Sequence, residues 1–254
     1  MDEIFLRNTM YWGDEFQKYL KGLHIAVFGL GGVGGYALDA LVRAGAGTFS
    51  IVDFDTVSKS NINRQIIALN STVGHKKTEV FRKRMKDINP DVEIFVYEDF
   101  YDGSQNEQIF GKSVDFAVDA IDSLRSKIGL LKYCKDNNIK VITSLGAGNR
   151  LDASRLRVSD LSEIKTKCPF VKNVISRLKK EGIDSGMMVV WSDESPKSLK
   201  KIKTIQKITK KDETQIEITK FTPASTPVVP AVSGLLCANY IINLLYENYT
   251  KNNA

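Results

Sequence analysis

The feature that most constrains this chain is a glycine-rich turn, Gly29-Leu30-Gly31-Gly32-Val33-Gly34. It lies between the unbroken apolar run Ile25-Ala26-Val27-Phe28 and a stretch of helical period, Tyr36, Ala37, Ala40 and Leu41. An apolar run without alternation suits a parallel strand covered on both faces. Glycines between such a strand and a helix let the backbone approach phosphate closely, while the helix amino terminus offers unpaired N–H groups and partial positive charge. The helix stops at Gly45-Ala46-Gly47, where glycine supplies a left-handed cap, and Phe49, Ile51 and Val52 then form a second strand ending at Asp53. A carboxylate there is placed to accept hydrogen bonds from ribose hydroxyls. The bland alternative is that these glycines serve only a tight turn and close helix packing.

The alternation of strand and helix persists. A helix from about His75 to Ile88 is closed by Asn89-Pro90 and followed by a strand from Val92 to Tyr97. Val114 to Val118 reads as a strand ending in Asp119, Leu124 to Cys134 as a helix, and Val141-Ile142-Thr143 as a strand. This pattern predicts an α/β fold, a doubly wound, Rossmann-like, mostly parallel sheet with helices on both faces. Beyond Gly148 the order is less regular: Leu156-Arg157-Val158 as strand, Phe170 to Lys180 as a basic helix, Met187 to Trp191 as strand. Ser192 to Thr214 holds few large apolar residues, and its charge cannot be buried, so a mobile lysine-rich segment is expected over 192–222, before a buried helix over 228–246. No linker divides the chain, which predicts one domain over residues 1–254.

Composition narrows the setting. Cys134, Cys168 and Cys237 are an odd set without paired spacing, so neither a disulfide framework nor a four-cysteine structural zinc site can be built within one chain, and a reducing cytoplasm fits best. The acidic start, Met1-Asp2-Glu3, lacks the pattern of a secretory signal. The apolar stretch from Val228 to Leu245 contains Pro230, Ser233, Asn239 and Asn243, which suits a core helix better than a membrane span. His24 and His75 lack ligand spacing and read as structural or surface residues.

The glycine turn alone does not separate a nicotinamide dinucleotide from ATP; the residues after Asp53 do. Asp55, Asn61, Asn63, Arg64, Gln65 and Lys77 bring a carboxylate, amides and two cations near the nucleotide, where a nicotinamide enzyme has no triphosphate to neutralise. Arginine and lysine there can hold β- and γ-phosphates and stabilise departing pyrophosphate. Asp122 is placed to bind the Mg²⁺ that bridges those phosphates, or else to cap the helix before Leu124.

These residues resemble a known family. Gly29-x-Gly31-Gly32-x-Gly34, Asp53-Phe54-Asp55-Thr56-Val57, Ser60-Asn61-Ile62-Asn63-Arg64-Gln65, Val73-Gly74-His75-Lys76-Lys77 and Asp119-Ala120-Ile121-Asp122 are similar, in order, to the motifs of the ThiF/MoeB/HesA adenylating enzymes, relatives of the ubiquitin-activating enzymes. The resemblance implies that Gly32 and Asp53 contact ATP, that Arg64 and Lys77 handle its triphosphate, and that Asp122 holds Mg²⁺, with a monovalent cation as a further candidate ligand. Arg7, in Arg7-Asn8-Thr9, resembles an amino-terminal arginine that in relatives crosses a homodimer into the other subunit's site. The two Cys-x-x-Cys pairs of the sulfur-carrier branch are missing. Asp87-Ile88-Asn89-Pro90, Gly146-Ala147-Gly148 and the run from Pro227 to Leu236 are similar instead to the branch that dehydrates threonylcarbamoyladenosine in tRNA.

Membership of that branch implies a reaction: a carboxylate beside the anticodon attacks ATP, and a nucleophile of the same modification displaces AMP and closes a ring. Cyclisation of this kind needs no enzyme cysteine. Where some relatives carry a cysteine in a late strand this chain has Val189, Cys168 reads as incidental, and Cys134 and Cys237 read as core. A cysteine-desulfurase-linked partner is a further candidate, and its identity is not read from any motif. The net charge of +6 suits a polyanionic partner, and Lys197, Lys200, Lys201, Lys203, Lys207, Lys210 and Lys211 fit a tRNA backbone, extended by Arg150, Arg155, Arg157, Arg177, Lys179 and Lys180. A solvated loop is the plain alternative for the lysines. Rival functions are adenylation of a ubiquitin-like sulfur carrier, a nicotinamide-dependent oxidoreductase and a non-catalytic RNA-binding relative.

Overall fold

The computed structural model describes residues 3–197, 202–209 and 215–252. In chain order the elements are α1 (Leu6–Trp12), α2 (Asp14–Lys21), β1 (His24–Phe28), α3 (Gly34–Ala44), β2 (Thr48–Val52), α4 (Lys77–Ile88), β3 (Glu93–Tyr97), α5 (Asn106–Phe110) and β4 (Phe116–Asp119). There follow α6 (Leu124–Asp136), β5 (Lys140–Leu145), β6 (Leu156–Asp160), α7 (Pro169–Lys180), β7 (Met188–Ser192), β8 (Ile202–Thr209), β9 (Gln215–Thr222) and α8 (Val228–Asn252). Seven strands form one sheet in the order β3-β2-β1-β4-β5-β7-β6, parallel except for β6, which pairs antiparallel with β7.

The unbroken apolar run of β1 is buried along its whole length because it is central, flanked by β2 and β4. Its neighbours differ in direction of connection: the chain moves outward from β1 to β2 and β3, then returns to β4 on the other side. The crevice where such a sheet reverses order, at the carboxyl ends of its strands, is where ligands bind in open α/β folds. Gly29 and Ala120 stand on the two sides of it.

Helix α8 is apolar enough and long enough to span a bilayer by composition, yet half of its most apolar window is buried inside the protein. Val229, Cys237, Ala238 and Ile241 join the main core, and a Cβ on Gly234 would overlap the carbonyl of Val33 just ahead of α3. The apolarity of α8 therefore serves this contact. Cys134 and Cys237 are buried, as their helical patterns implied, and burial pushes both thiols up to about 12. His24 is also structural: its ring meets the Lys112 carbonyl at 3.0 Å and Ser50 Oγ at 2.9 Å, while His75 is exposed.

Two differences from expectation stand out. The amino-terminal α1 and α2 carried no clear signal, and the segment expected to lack regular structure contains β8 and β9, paired antiparallel from Ile202 opposite Thr222 to Thr209 opposite Gln215. A two-stranded ribbon closes its hydrogen bonds on itself and buries no large face, so low apolar content did not exclude it. The β-branched residues of Ile202-Lys203-Thr204-Ile205 and Ile216-Glu217-Ile218-Thr219 were the available sign.

Candidate active site

The glycine turn takes the chain from β1 into α3 at the reversal point of the sheet. Gly29 has φ +86°, and a Cβ there would lie 2.8 Å from the Ala120 carbonyl oxygen, so β1 and β4 can approach this closely only with glycine. A Cβ on Gly34 would overlap the carbonyl of Gly29. Among the described residues the amides of Gly31, Gly32 and Val33 donate to no backbone carbonyl, which leaves donor capacity ahead of α3 of the kind that binds anions. Gly31 and Gly32 face Gln65 and Arg64, whose nearest side-chain atoms would lie 3.8 and 3.3 Å from added Cβ atoms.

The turn is held by Asp53, one carboxylate oxygen accepting from the Leu30 amide at 2.6 Å and the other from the Asp55 amide at 2.8 Å. Lys77, the first residue of α4, sends its ammonium to Asp55 at 2.9 Å, with Asp53 at 3.7 Å. A cation in the first turn opposes the helix dipole, so its presence there needs these carboxylates. Burial pushes the Asp53 carboxyl up, and the attraction of Lys77 offsets this only in part. Burial pushes Lys77 down, but Asp53 and Asp55, with help from Asp122, outweigh it and hold the ammonium above the ordinary lysine range.

Arg64 is half-buried on the other side of the turn, and its Nη1 donates to the Ser60 carbonyl at 2.8 Å and to Asn63 Oδ1 at 2.9 Å. Burial lowers its pKa, opposed by Asp122, and a guanidinium remains charged regardless. Asp122 is exposed between β4 and α6, one residue ahead of Ser123, which holds the cap position of α6 without a side-chain cap hydrogen bond. Gln65 is 7% exposed, with its Nε2 on the Gly31 side, and its Oε1 is a buried oxygen with no hydrogen-bond partner. A buried amide oxygen left unpaired is costly and marks a place for a ligand donor. Asn61 has a local duty as well: its Oδ1 accepts from the Ser58 amide at 3.0 Å in a capping box.

The structure thus brings together the turn, Asp53, Asp55, Asn61, Arg64, Gln65, Lys77 and Asp122. Arg7 is not among them. The next residue, Asn8, donates to the Arg43 carbonyl at 2.8 Å, at the carboxyl end of α3, and a helix of that length separates this point from the turn by roughly 16 Å. Of the residues read as a polyanion surface, Arg150 is corrected: it is 3% exposed, and its Nη1 donates to the carbonyls of Gly146 and Gly148, so it binds its own loop. Arg155 and Arg157 both pair with Asp193, at 2.6 and 3.1 Å. Arg177, Lys179 and Lys180 are exposed on α7, and Lys197 is exposed before β8. Lys200, Lys201, Lys210 and Lys211 lie outside the described residues, and Lys203 and Lys207 are placed only as positions of β8.

Reasoning from sequence missed Lys127. It is fully buried in α6, its ammonium 2.6 Å from Asp119, 3.0 Å from Thr143 Oγ1 and 3.2 Å from the Ser144 carbonyl. A lysine inside a helical pattern reads as a solvent face; its partner Asp119, ending a central strand, was the available sign.

The sequence pattern of the ThiF family matches residues 5–254. The tRNA threonylcarbamoyladenosine dehydratase of Bacillus subtilis (strain 168) is 39% identical over 94% of this chain and 92% of its own. The crystal structure of E. coli tRNA N6-threonylcarbamoyladenosine dehydratase, TcdA, in complex with ATP superposes with a TM-score of 0.84 at 28% identity, covering 98% of this chain and 96% of that one. The same protein in complex with AMP gives 0.83 at 29% identity, with the same coverage.

Proposed function

This chain belongs to the ThiF family, and we propose that it acts there as an ATP-dependent dehydratase that converts threonylcarbamoyladenosine in tRNA to its cyclic form. The observation that carries the reading is the convergence of Arg64 and Lys77 on the glycine turn at the β1/β4 reversal, in a chain similar along nearly its whole length to the Bacillus subtilis dehydratase.

A carboxylate oxygen of the modified nucleoside attacks the α-phosphorus of ATP, the bond to the β-phosphate breaks, and pyrophosphate leaves. A nucleophile of the same side chain then attacks the acyl carbon, the bond to AMP breaks, and the ring closes; the oxygen of the lost water departs on AMP. The amides of the turn hold phosphate. Asp53, already committed to the Leu30 and Asp55 amides, fixes the turn and lies where ribose hydroxyls are read. Lys77 and Arg64 neutralise the charge that accumulates on departing pyrophosphate. The hard oxygen donor of Asp122, whose charge acts on both cations, suits Mg²⁺. When bound, Mg²⁺ supplies further neutralisation of the phosphates. Gln65 offers its unpaired Oε1 to a donor on the nucleotide.

The finer assignments extend this reading. The whole chain works as one adenylating unit in the cytoplasm, and Arg7 serves the site of a second copy. In support, Met10 and Tyr11 on the same short helix are 79% and 78% exposed, an apolar surface suited to a symmetric contact. The tRNA is held through the lysine-rich hairpin and the basic face of α7.

The test is a product mass. Protein with ATP, Mg²⁺ and threonylcarbamoylated tRNA releases AMP and yields a nucleoside lighter by one water. If the nucleoside keeps its mass while a ubiquitin-like sulfur carrier becomes adenylated, the substrate assignment is wrong and adenylation stands.

A further inference from the structure

The hairpin of β8 and β9 leaves and rejoins the body at two points, and both are fastened by one residue. Asn149, in the loop after β5, adopts the left-handed conformation with φ +60°. Its carbonyl accepts from the Lys197 amide at 2.9 Å, ahead of β8. Its amide donates to the Ala224 carbonyl at 2.7 Å, and its Oδ1 accepts from the Ala224 amide at 2.8 Å, just after β9. Three polar groups of a single residue thus hold both ends of an excursion that runs from 197 to 224.

The neighbours reinforce the fastening. Glu194 accepts from the Leu151 amide at 3.2 Å and the Asp152 amide at 3.0 Å, and Gly148 lies so close to Pro223 that a Cβ would be 2.8 Å from the proline Cβ. The exit strand is also tied to the nucleotide site: Asn63 Nδ2 donates to the Ser225 carbonyl at 2.9 Å, and Asn63 Oδ1 accepts from Arg64 Nη1 at 2.9 Å. A continuous path of hydrogen bonds and one peptide link therefore runs from Asn149 through Ala224, Ser225 and Asn63 to Arg64. The left-handed backbone explains the residue type, since asparagine tolerates this conformation and also brings an acceptor that glycine lacks.

We propose that Asn149 is a positioning residue that fixes the two ends of the β8–β9 hairpin beside the loop after β5, and that through Asn63 it sets them in register with Arg64 for handling an RNA substrate. This rests on the dehydratase reading and adds to it the device that relates the RNA-facing arm to the nucleotide. It requires that loosening Asn149 disturb the modified tRNA and leave ATP in place, because among the described residues no hydrogen bond of Asn149 reaches the glycine turn directly.

The test uses the full chain with Asn149→Gly, which keeps the backbone conformation and removes Oδ1, and Asn149→Asp, which keeps an acceptor at that position. Amide hydrogen exchange at Lys197 and Ala224 reads the fastening without any substrate. In Asn149→Gly, exchange at Ala224 accelerates and KM for threonylcarbamoylated tRNA rises about three- to tenfold, the span set by the removal of one hydrogen bond, while ATP affinity holds. Asn149→Asp restores both readouts. Unchanged exchange in Asn149→Gly overturns the fastening. Faster exchange with unchanged KM for tRNA, or an equal loss of ATP affinity, overturns the coupling to RNA. A wild-type enzyme that turns over no threonylcarbamoylated tRNA refutes the substrate reading instead, and the exchange result is separate from it.

Discussion

Lys77 and Lys127 both lie buried at the carboxyl edge of the sheet, each entering from the first turns of a helix and each facing an aspartate that ends a strand or follows it. Asp53 comes directly after β2 and Asp119 closes β4. The surroundings differ in one respect. The three donors of Lys127 are matched by three acceptors within 3.2 Å, Asp119, Thr143 and the Ser144 carbonyl. Lys77 has one short partner, Asp55 at 2.9 Å, and a second carboxylate at 3.7 Å. A saturated ammonium can only hold the fold together, whereas one with remaining donor capacity beside a phosphate turn can receive a ligand. The same pair of residue types therefore gives a saturated tie at β4 and a cation with donor capacity to spare at β2.

Substitutions break that comparison in opposite ways. Lys127→Ala strands the Asp119 carboxylate in the core and is expected to cost about 3–5 kcal/mol, read as a large fall in Tm or in soluble yield. Replacing both partners, Lys127→Met with Asp119→Leu, is expected to recover most of that stability, which thermal unfolding checks. Lys77→Ala, by contrast, is expected to lower turnover by about 100- to 1000-fold with a smaller change in Tm, since its proposed work is on the departing phosphates. If Lys77→Ala unfolds the protein as readily as Lys127→Ala, the distinction falls. Arg64→Ala is expected to reduce turnover roughly 10-fold or more while tRNA affinity changes little; equal loss of both removes its role on the triphosphate. The smallest effect is at the hairpin. Neutralising lysines from Lys197 to Lys211 is expected to flatten the dependence of tRNA affinity on salt, by close to one unit of slope for each phosphate that is no longer neutralised. An unchanged slope identifies these lysines as a solvated surface.

Legibility followed the same division. The grouping of Asp53, Arg64, Lys77 and Asp122 about the turn was readable because a tight glycine turn and the residues packed on it restrict residue type at fixed spacing, and the sheet was readable because buried parallel strands are unbroken apolar runs. Lys127 was harder to read: Asp119 at the end of a central strand was a sign, but the contacts with Thr143 and Ser144 that complete its burial come from β5 and leave no local trace. Arg150 failed for the complementary reason. A basic residue in a loop near other basic residues looks like a surface, and only the fold shows it turned back onto the carbonyls of Gly146 and Gly148. The hairpin was hidden by its own economy, since a ribbon paired only with itself needs no apolar stripe.

The contact of α8 with the glycine turn has a consequence in time. Pro230 lies against Gly32, and Gly234 lies against the carbonyl of Val33, so the backing of the phosphate loop comes from residues synthesised about 200 positions later. At elongation rates of about 5–20 residues per second the loop emerges roughly 10 to 40 seconds before its support does. A nascent chain therefore carries an unfinished nucleotide pocket through most of its synthesis, and a product of premature termination before residue 230 carries one permanently. The last helix is thus the element that completes the backing of the loop, and it does so only at the end of synthesis.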